Sequence, residues 1–234
     1  KIVSWQEEAG FVLEEDKQNV LDRAAALAKQ YGAYIDVALG VFKRTTALPY
    51  VLNQSILIDN LGNIRWTYDK THPVFLGEDL VTINGIGQLP VIDTPYGRLS
   101  GAICNDMNFP ALIRQAGQNN VDILITPYND AGGFARADAV TGNYRAIENG
   151  VSLVRATGNG FSTIADYEGR ILGSQDYSVA SNSGIVLTTI PVQGVITIYS
   201  RIGDLFAYLC AAGLIILAGW TFFHRKRPAS LIQQ

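Results

Sequence analysis

Cysteine and histidine are both scarce in this chain, two of each among 234 residues. Cys104 and Cys210 are too few for a disulfide framework, and a catalytic or merely buried role fits them better. His72 and His224 stand far apart with no cysteine cluster beside them, which argues against a zinc site. A basic surplus is missing too. Lys and Arg number 18 against 21 Asp and Glu, for a net charge of −3, so no nucleic-acid partner is indicated. Internal repeats and low-complexity linkers are also absent. The chain therefore reads as one domain of ordinary size plus an appendage.

The appendage is defined by another absence. From Leu205 to Phe223, LFAYLCAAGLIILAGWTFF, there is no charge at all. A helix of that length covers about 28 Å, close to the roughly 30 Å of bilayer hydrocarbon. Tyr208, Trp220, Phe222 and Phe223 sit near its ends, and Arg225, Lys226 and Arg227 follow directly. Aromatic ends and a basic stop predict a membrane span with a cytoplasmic tail, and everything before Asp204 on the other side. The expected organisation is a catalytic-size domain over 1–203, a span over 204–223 and a basic tail over 224–234. No signal peptide or earlier span is visible in these residues.

What is present is a turn-rich alternation of short apolar runs, with 23 glycines. Strands are expected at Ile2–Trp5, Tyr34–Phe42, Tyr50–Asp59, Ile64–Tyr68, Leu89–Ile92, Arg98–Ile103, Asp122–Thr126, Val151–Thr157, Phe161–Ala165 and Gly184–Ile190. Helices are expected at Asp16–Tyr31, Pro110–Asn119 and Ala135–Glu148. In the first of them Val20, Leu21, Ala24, Ala26, Leu27 and Tyr31 form the apolar side. Many strands and few helices predict α/β or α+β layers.

Cys104 ends an apolar run and is followed by the polar pair Asn105 and Asp106, with Pro110 opening a helix. A thiol at a strand's carboxyl end, near a helix N-terminus, is either a nucleophile with a favoured thiolate or a small buried hydrophobe. Cysteine chemistry needs a base and an oxyanion donor. The usual histidine partner is lacking, so a lysine and a carboxylate must serve. Lys70 stands in YDKTHPVFLGE, and the carboxylates on offer are Glu7, Glu8 and Glu78.

Four segments, WQEEA, YDKTHPVFLGE, GAICNDMNFP and the block from ILITPYNDAGGF to YRAIENGVSLVRATGNGFSTIAD, together resemble the nitrilase superfamily. Within it they look most like the periplasmic domain of the apolipoprotein N-acyltransferases. The Tyr199-Ser200-Arg201-Ile202-Gly203-Asp204 segment before the apolar run fits that branch as well. The resemblance implies an αββα sandwich followed by one transmembrane helix. It implies Cys104 as nucleophile, Glu7 as general base, Lys70 facing the oxyanion, and Glu78 orienting Lys70 or the incoming nucleophile. It further implies transfer of a phospholipid acyl chain, through a cysteine thioester, to the N-terminal amine of a lipoprotein. No cofactor enters that chemistry, and the setting is the outer face of a bacterial inner membrane. A membrane-anchored amidase, in which water resolves the thioester, is the alternative.

Asn129 and Asp130, before Gly132-Gly133, occupy a turn that in the family lies at the site mouth; an ordinary turn is the other reading. Phe75, Leu76, Phe109 and Phe134 either line an acyl path or belong to the core. Arg145 and Glu148 are spaced to pair at i,i+3. The chain departs from the family at Gln6, at Asn105-Asp106 and within HPVFLGE. The family's opening strand, helix and membrane spans have no counterpart before Lys1, so a longer parent protein is expected.

Overall fold

The structure is a computed structural model, which describes residues 1–45, 47–130, 132–177 and 184–224. The first sheet is built on β3 (Tyr34–Phe42), a run buried on both faces. Two short strands, β1 (Ile2–Ser4) and β2 (Gly10–Leu13), lie in parallel along one edge of β3. Ser4 pairs with Asp36 and Gly10 with Leu39. The edge thus takes six steps where β3 takes three, and residues 5–9 leave the ladder as a loop that carries Glu7 and Glu8. On the other edge β4 (Val51–Ile58) and β5 (Ile64–Asp69) add antiparallel. Their turn is closed by Asp59, whose carboxylate accepts the Leu61 and Asn63 N–H groups.

Helix α1 (Lys17–Tyr31) covers the outer face of this sheet. Leu21, Ala24 and Ala28, at i, i+3 and i+7, meet Ile35, Val37, Leu39, Val41, Ile56 and Ile58. The buried stripe is narrower than the sequence predicted, since Leu27 and Tyr31 are exposed. Alanines let the helix approach the sheet closely, so its larger apolar residues fall on the flank. Gly32, at φ 57°, ends it in a left-handed cap.

The second sheet runs in the order β11 (Ile171–Asp176), β10 (Phe161–Ala165), β9 (Ser152–Thr157), β8 (Ile123–Tyr128), β7 (Gly97–Gly101), β6 (Val91–Thr94). Strands β7, β8 and β9 are mutually parallel, joined through α2 (Pro110–Gln118) and α3 (Ala135–Asn149). The two sheets face each other across a core that joins Tyr34, Leu57, Trp66 and Tyr68 to Leu99, Ile103, Ile123 and Leu124. The result is the αββα sandwich.

One expected strand is absent, and two strands are present that were not expected. Gly184–Ile190 forms no strand: Ile185 and Leu187 are almost fully exposed, and the segment touches β11 through a Thr188 hydroxyl donating to the Leu172 carbonyl. Its alternating pattern seats one face on the sandwich without a ladder. Strands β2 and β11, by contrast, went unpredicted because both lie at sheet edges and bury little of their side chains, so neither carries a strong apolar run.

After a short α4 (Ile198–Ile202), α5 (Leu205–Phe223) runs nineteen residues with mean hydropathy 2.0 and no buried side chain, which fits a single transmembrane helix. Its root is tied to the sandwich by Arg114 of α2, which donates to the carbonyls of Ser200 and Arg201. The basic cluster Arg225–Arg227 lies outside the described residues.

Candidate active site

The β1–β2 loop, the end of β5, the turn after β7 and the end of β8 converge on one small cavity of about 210 Å³. It is lined by Glu7, Glu8, Lys70, Val74, Glu78, Cys104 and Asn129. Lys70 directly follows β5 and is itself buried, with its backbone N–H on the Asn53 carbonyl. Its ammonium donates to Glu7 Oε1 at 2.7 Å and to Glu78 Oε2 at 2.6 Å. Asn53 of β4 bridges the same two carboxylates, its Nδ2 lying 2.8 Å from Glu7 Oε1 and 2.9 Å from Glu78 Oε1. The sequence reading missed Asn53. It lies mid-strand, and only its pairing near the β5 end brings it to Lys70.

Cys104 follows β7 at φ 43°, in the left-handed region, where a non-glycine residue costs roughly 1–2 kcal/mol. That sharp turn lifts the thiol off the strand and into the cavity that Glu7, Lys70 and Asn129 also line. Asp106 holds the turn in place. Its carboxylate accepts from the Tyr68 hydroxyl at 2.7 Å and from the N–H groups of Thr71, His72 and Ile103. Because these donors come from β5, from the residues after Lys70 and from the Cys104 turn, one carboxylate fixes lysine and thiol relative to each other. Asn105 and Phe109 reinforce the bond, through the His72 carbonyl and by stacking on the His72 ring at 3.6 Å.

The electrostatics follow from burial. The Glu7 carboxyl is raised by burial, with Lys70 opposing. Burial works against the charge of Lys70, but Glu7, Cys104 and Glu78 outweigh it and hold the ammonium above its usual range. The thiol corrects an expectation. Burial and the adjacent Glu7 push Cys104 well above its ordinary value, and Lys70 with the Asn129 N–H only partly offset them. The resting group is a neutral thiol that shares the cavity with the Glu7 carboxyl. A thiol, a carboxylate of raised basicity and a fixed cation are the parts needed to attack a carbonyl and hold the resulting oxyanion.

Glu7, Glu78, Lys70 and Cys104 meet as expected, and Glu7, not Glu8, is the carboxylate bonded to the lysine. The other predicted site residues divide. Asn129 lines the cavity. Asp130 does not stand at the mouth. Its side chain is wholly buried in an ion pair with Arg155, with Thr157 donating to it, and the Arg155 guanidinium lies 3.9 Å over the Tyr128 ring. Phe109 packs on His72, while Phe134, Phe75 and Leu76 are exposed, so none of the four is core and none lines the cavity. Arg145 and Glu148 pair within α3, as spaced.

The sequence pattern of the Carbon-nitrogen hydrolase family matches residues 2–198. The chain belongs to that family. Among relatives of this hydrolase-family chain, it is 27% identical over 242 residues to the apolipoprotein N-acyltransferase of Geobacter metallireducens, covering 94% of this chain and 46% of that one. It is 32% identical over 200 residues to the enzyme of the same name from Rhodopseudomonas palustris, covering 75% and 36%. The chain thus spans less than half the length of these relatives. In fold it superposes on an amidase from Nesterenkonia sp. with TM-score 0.71 at 19% identity, over 88% of this chain and 81% of that one.

Proposed function

We propose that this chain is the catalytic part of a membrane-bound N-acyltransferase that moves a phospholipid acyl chain to the N-terminal amine of a lipoprotein. Glu7 takes the Cys104 proton as sulfur attacks the ester carbonyl, and Lys70 faces the oxyanion. Collapse breaks the ester C–O bond, Glu7 returns the proton to the departing alcohol, and a thioester remains on Cys104. The amine then attacks, the C–S bond breaks, and the amine's proton returns to sulfur through Glu7. Glu78 keeps Lys70 aligned.

One observation carries the reading: a Cys104–Glu7–Lys70 contact set on a chain whose sandwich runs straight into the unburied apolar helix α5. The names of the relatives support it, and so do the exposed Val74, Phe75 and Leu76 beside Glu78, an apolar rim that suits an acyl chain. In this reading the catalytic domain faces the periplasmic side of the bacterial inner membrane, with 224–234 cytoplasmic. A second reading, a membrane-anchored amidase, draws on the Nesterenkonia amidase's matching fold. Acyl-labelled phospholipid separates the two. Label that moves from Cys104 to a lipopeptide amine supports transfer, and label released only to water supports hydrolysis.

A further inference from the structure

The cavity holds one acidic side chain that the chemistry above leaves unused. Glu7 and Glu78 share Lys70 and Asn53, whereas no ion pair or hydrogen bond holds the Glu8 carboxylate among the described residues. Its placement is built into the fold. Glu8 sits at φ 50°, in the left-handed region, on the loop that leaves the β1–β2 edge. Its carboxylate lies over Gly40 of β3 at ordinary contact distance, 3.4 Å from where a Cβ would stand, and the room that glycine leaves is taken by the Phe11 ring, which the same Cβ would meet at 2.5 Å.

Charge gives the placement a meaning. Three carboxylates, Glu7, Glu8 and Glu78, face one ammonium, Lys70, around a neutral Cys104 thiol. The cavity is short of positive charge. Burial, together with Glu7 and Glu78 and against Lys70, pushes Glu8 up to about 7. Of the nucleophiles that could resolve a thioester here, water is neutral, while an α-amine, with an ordinary pKa of about 7.7–8.0, arrives mostly as a cation. It must shed a proton before it can attack.

We propose that Glu8 is the carboxylate that docks the acceptor's α-ammonium and removes its first proton, so that the site selects an amine over water. The inference rests on the acyl-transfer reading above. The ammonium and the Glu8 carboxylate become a free amine and a Glu8 carboxylic acid, which later releases its proton to solvent. The amine nitrogen forms the C–N bond as the C–S bond breaks. Its second proton passes to Glu7 and from there to sulfur, restoring the thiol. A carboxyl poised near neutrality is matched to the first of these transfers.

The test is a partition experiment on the thioester formed by the full membrane-embedded protein with phosphatidylethanolamine vesicles. Wild type, Glu8→Gln and Glu8→Asp are offered a synthetic diacylglyceryl-cysteinyl peptide, and the ratio of peptide acylation to hydrolysis is measured across pH 6 to 9. Hydroxylamine, uncharged at neutral pH, is the comparison nucleophile. Glu8→Gln should lower the peptide-to-water ratio at least tenfold at pH 7, with the deficit narrowing toward pH 9 as the amine arrives unprotonated. Glu8→Asp should recover part of the loss, and the hydroxylamine ratio should stay level. An unchanged peptide ratio in Glu8→Gln, or an equal fall with both nucleophiles, overturns the role of Glu8. If Glu8→Gln forms no thioester, the same comparison is read from Glu8→Asp, where a full wild-type pH profile supports a carboxylate and an equal fall with both nucleophiles overturns it. No thioester in the wild type would overturn the acyl-transfer reading itself, and this inference with it.

Discussion

Lys70 Nζ lies 2.7 Å from Glu7 Oε1, and both side chains are almost fully withdrawn from solvent. Glu78 closes on the same ammonium from the more open side. The cation is thus fixed before any substrate arrives, which is what preorganised charge stabilisation requires.

Replacing Lys70 by Met keeps the length and removes the charge. Turnover should fall on the order of a hundredfold or more, since a developing oxyanion in a dry site loses its fixed cation. The Cys104 thiol should rise further, because Lys70 is one of the groups holding it down. Slower alkylation of Cys104 near neutral pH, followed by mass spectrometry, would register that. Unchanged turnover and alkylation would return Lys70 to the status of a structural ion-pair partner.

Asp130 should behave as a structural residue. Its partner Arg155 is completely buried, and breaking a buried pair costs roughly 3–5 kcal/mol. Asp130→Asn should lower the melting temperature sharply, and Asp130→Asn with Arg155→Met should lose less than the two single changes summed. A stable Asp130→Asn protein with only a raised KM would restore Asp130 to the cavity mouth.

Asp36 predicts a pH dependence. It is fully buried on β3, bonded to the Ser4 and Ser55 hydroxyls, and burial raises it from its usual 3.8 to about 7. Between those values the folded state keeps a proton that the unfolded chain has released. Stability must therefore fall as the pH rises from about 4 to about 7 and then level off. The slope integrates to at most about 4 kcal/mol at 1.36 kcal/mol for each pH unit. Thermal melts of detergent-solubilised protein should show this slope in wild type and its loss in Asp36→Asn. Parallel curves for the two proteins would contradict it.

The proposed orientation is checked by labelling intact cells after Cys104→Ala and Cys210→Ala remove both native thiols. A reporter cysteine at Ser174, exposed on edge strand β11, should react with a membrane-impermeant maleimide while the inner membrane is intact. One at Ser230 should react only after lysis. The reverse pattern would favour an amidase facing the cytoplasm.

Much of this was legible in the sequence because it lies in local patterns. The strand-turn-helix at Cys104, the 3.6-residue period of α1 and the uncharged run of α5 each sit in one continuous segment. The catalytic set was read through a resemblance, but the identity of its members was already narrowed by the shortage of histidine. What escaped depends on pairing at a distance. Asn53 reaches two carboxylates only once β4 is aligned with β5, and Asp106 binds donors from more than thirty residues away. The thiol's raised value could not be foreseen from Lys70 alone, since burial against Glu7 decides it. The doublet Glu7–Glu8 was ambiguous for a similar reason: both line the cavity, and the loop's departure from the ladder determines which of them reaches Lys70.

The account stands on Cys104 as an acyl-accepting nucleophile. Intact-mass spectrometry of the protein after incubation with phospholipid vesicles addresses this directly. We predict one acyl-chain mass increment, released by hydroxylamine and mapped to Cys104, and no increment in Cys104→Ser, whose fold should survive the swap while its hydroxyl is a far poorer nucleophile. An increment that persists in Cys104→Ser, or its absence from a folded wild-type protein, would contradict the account.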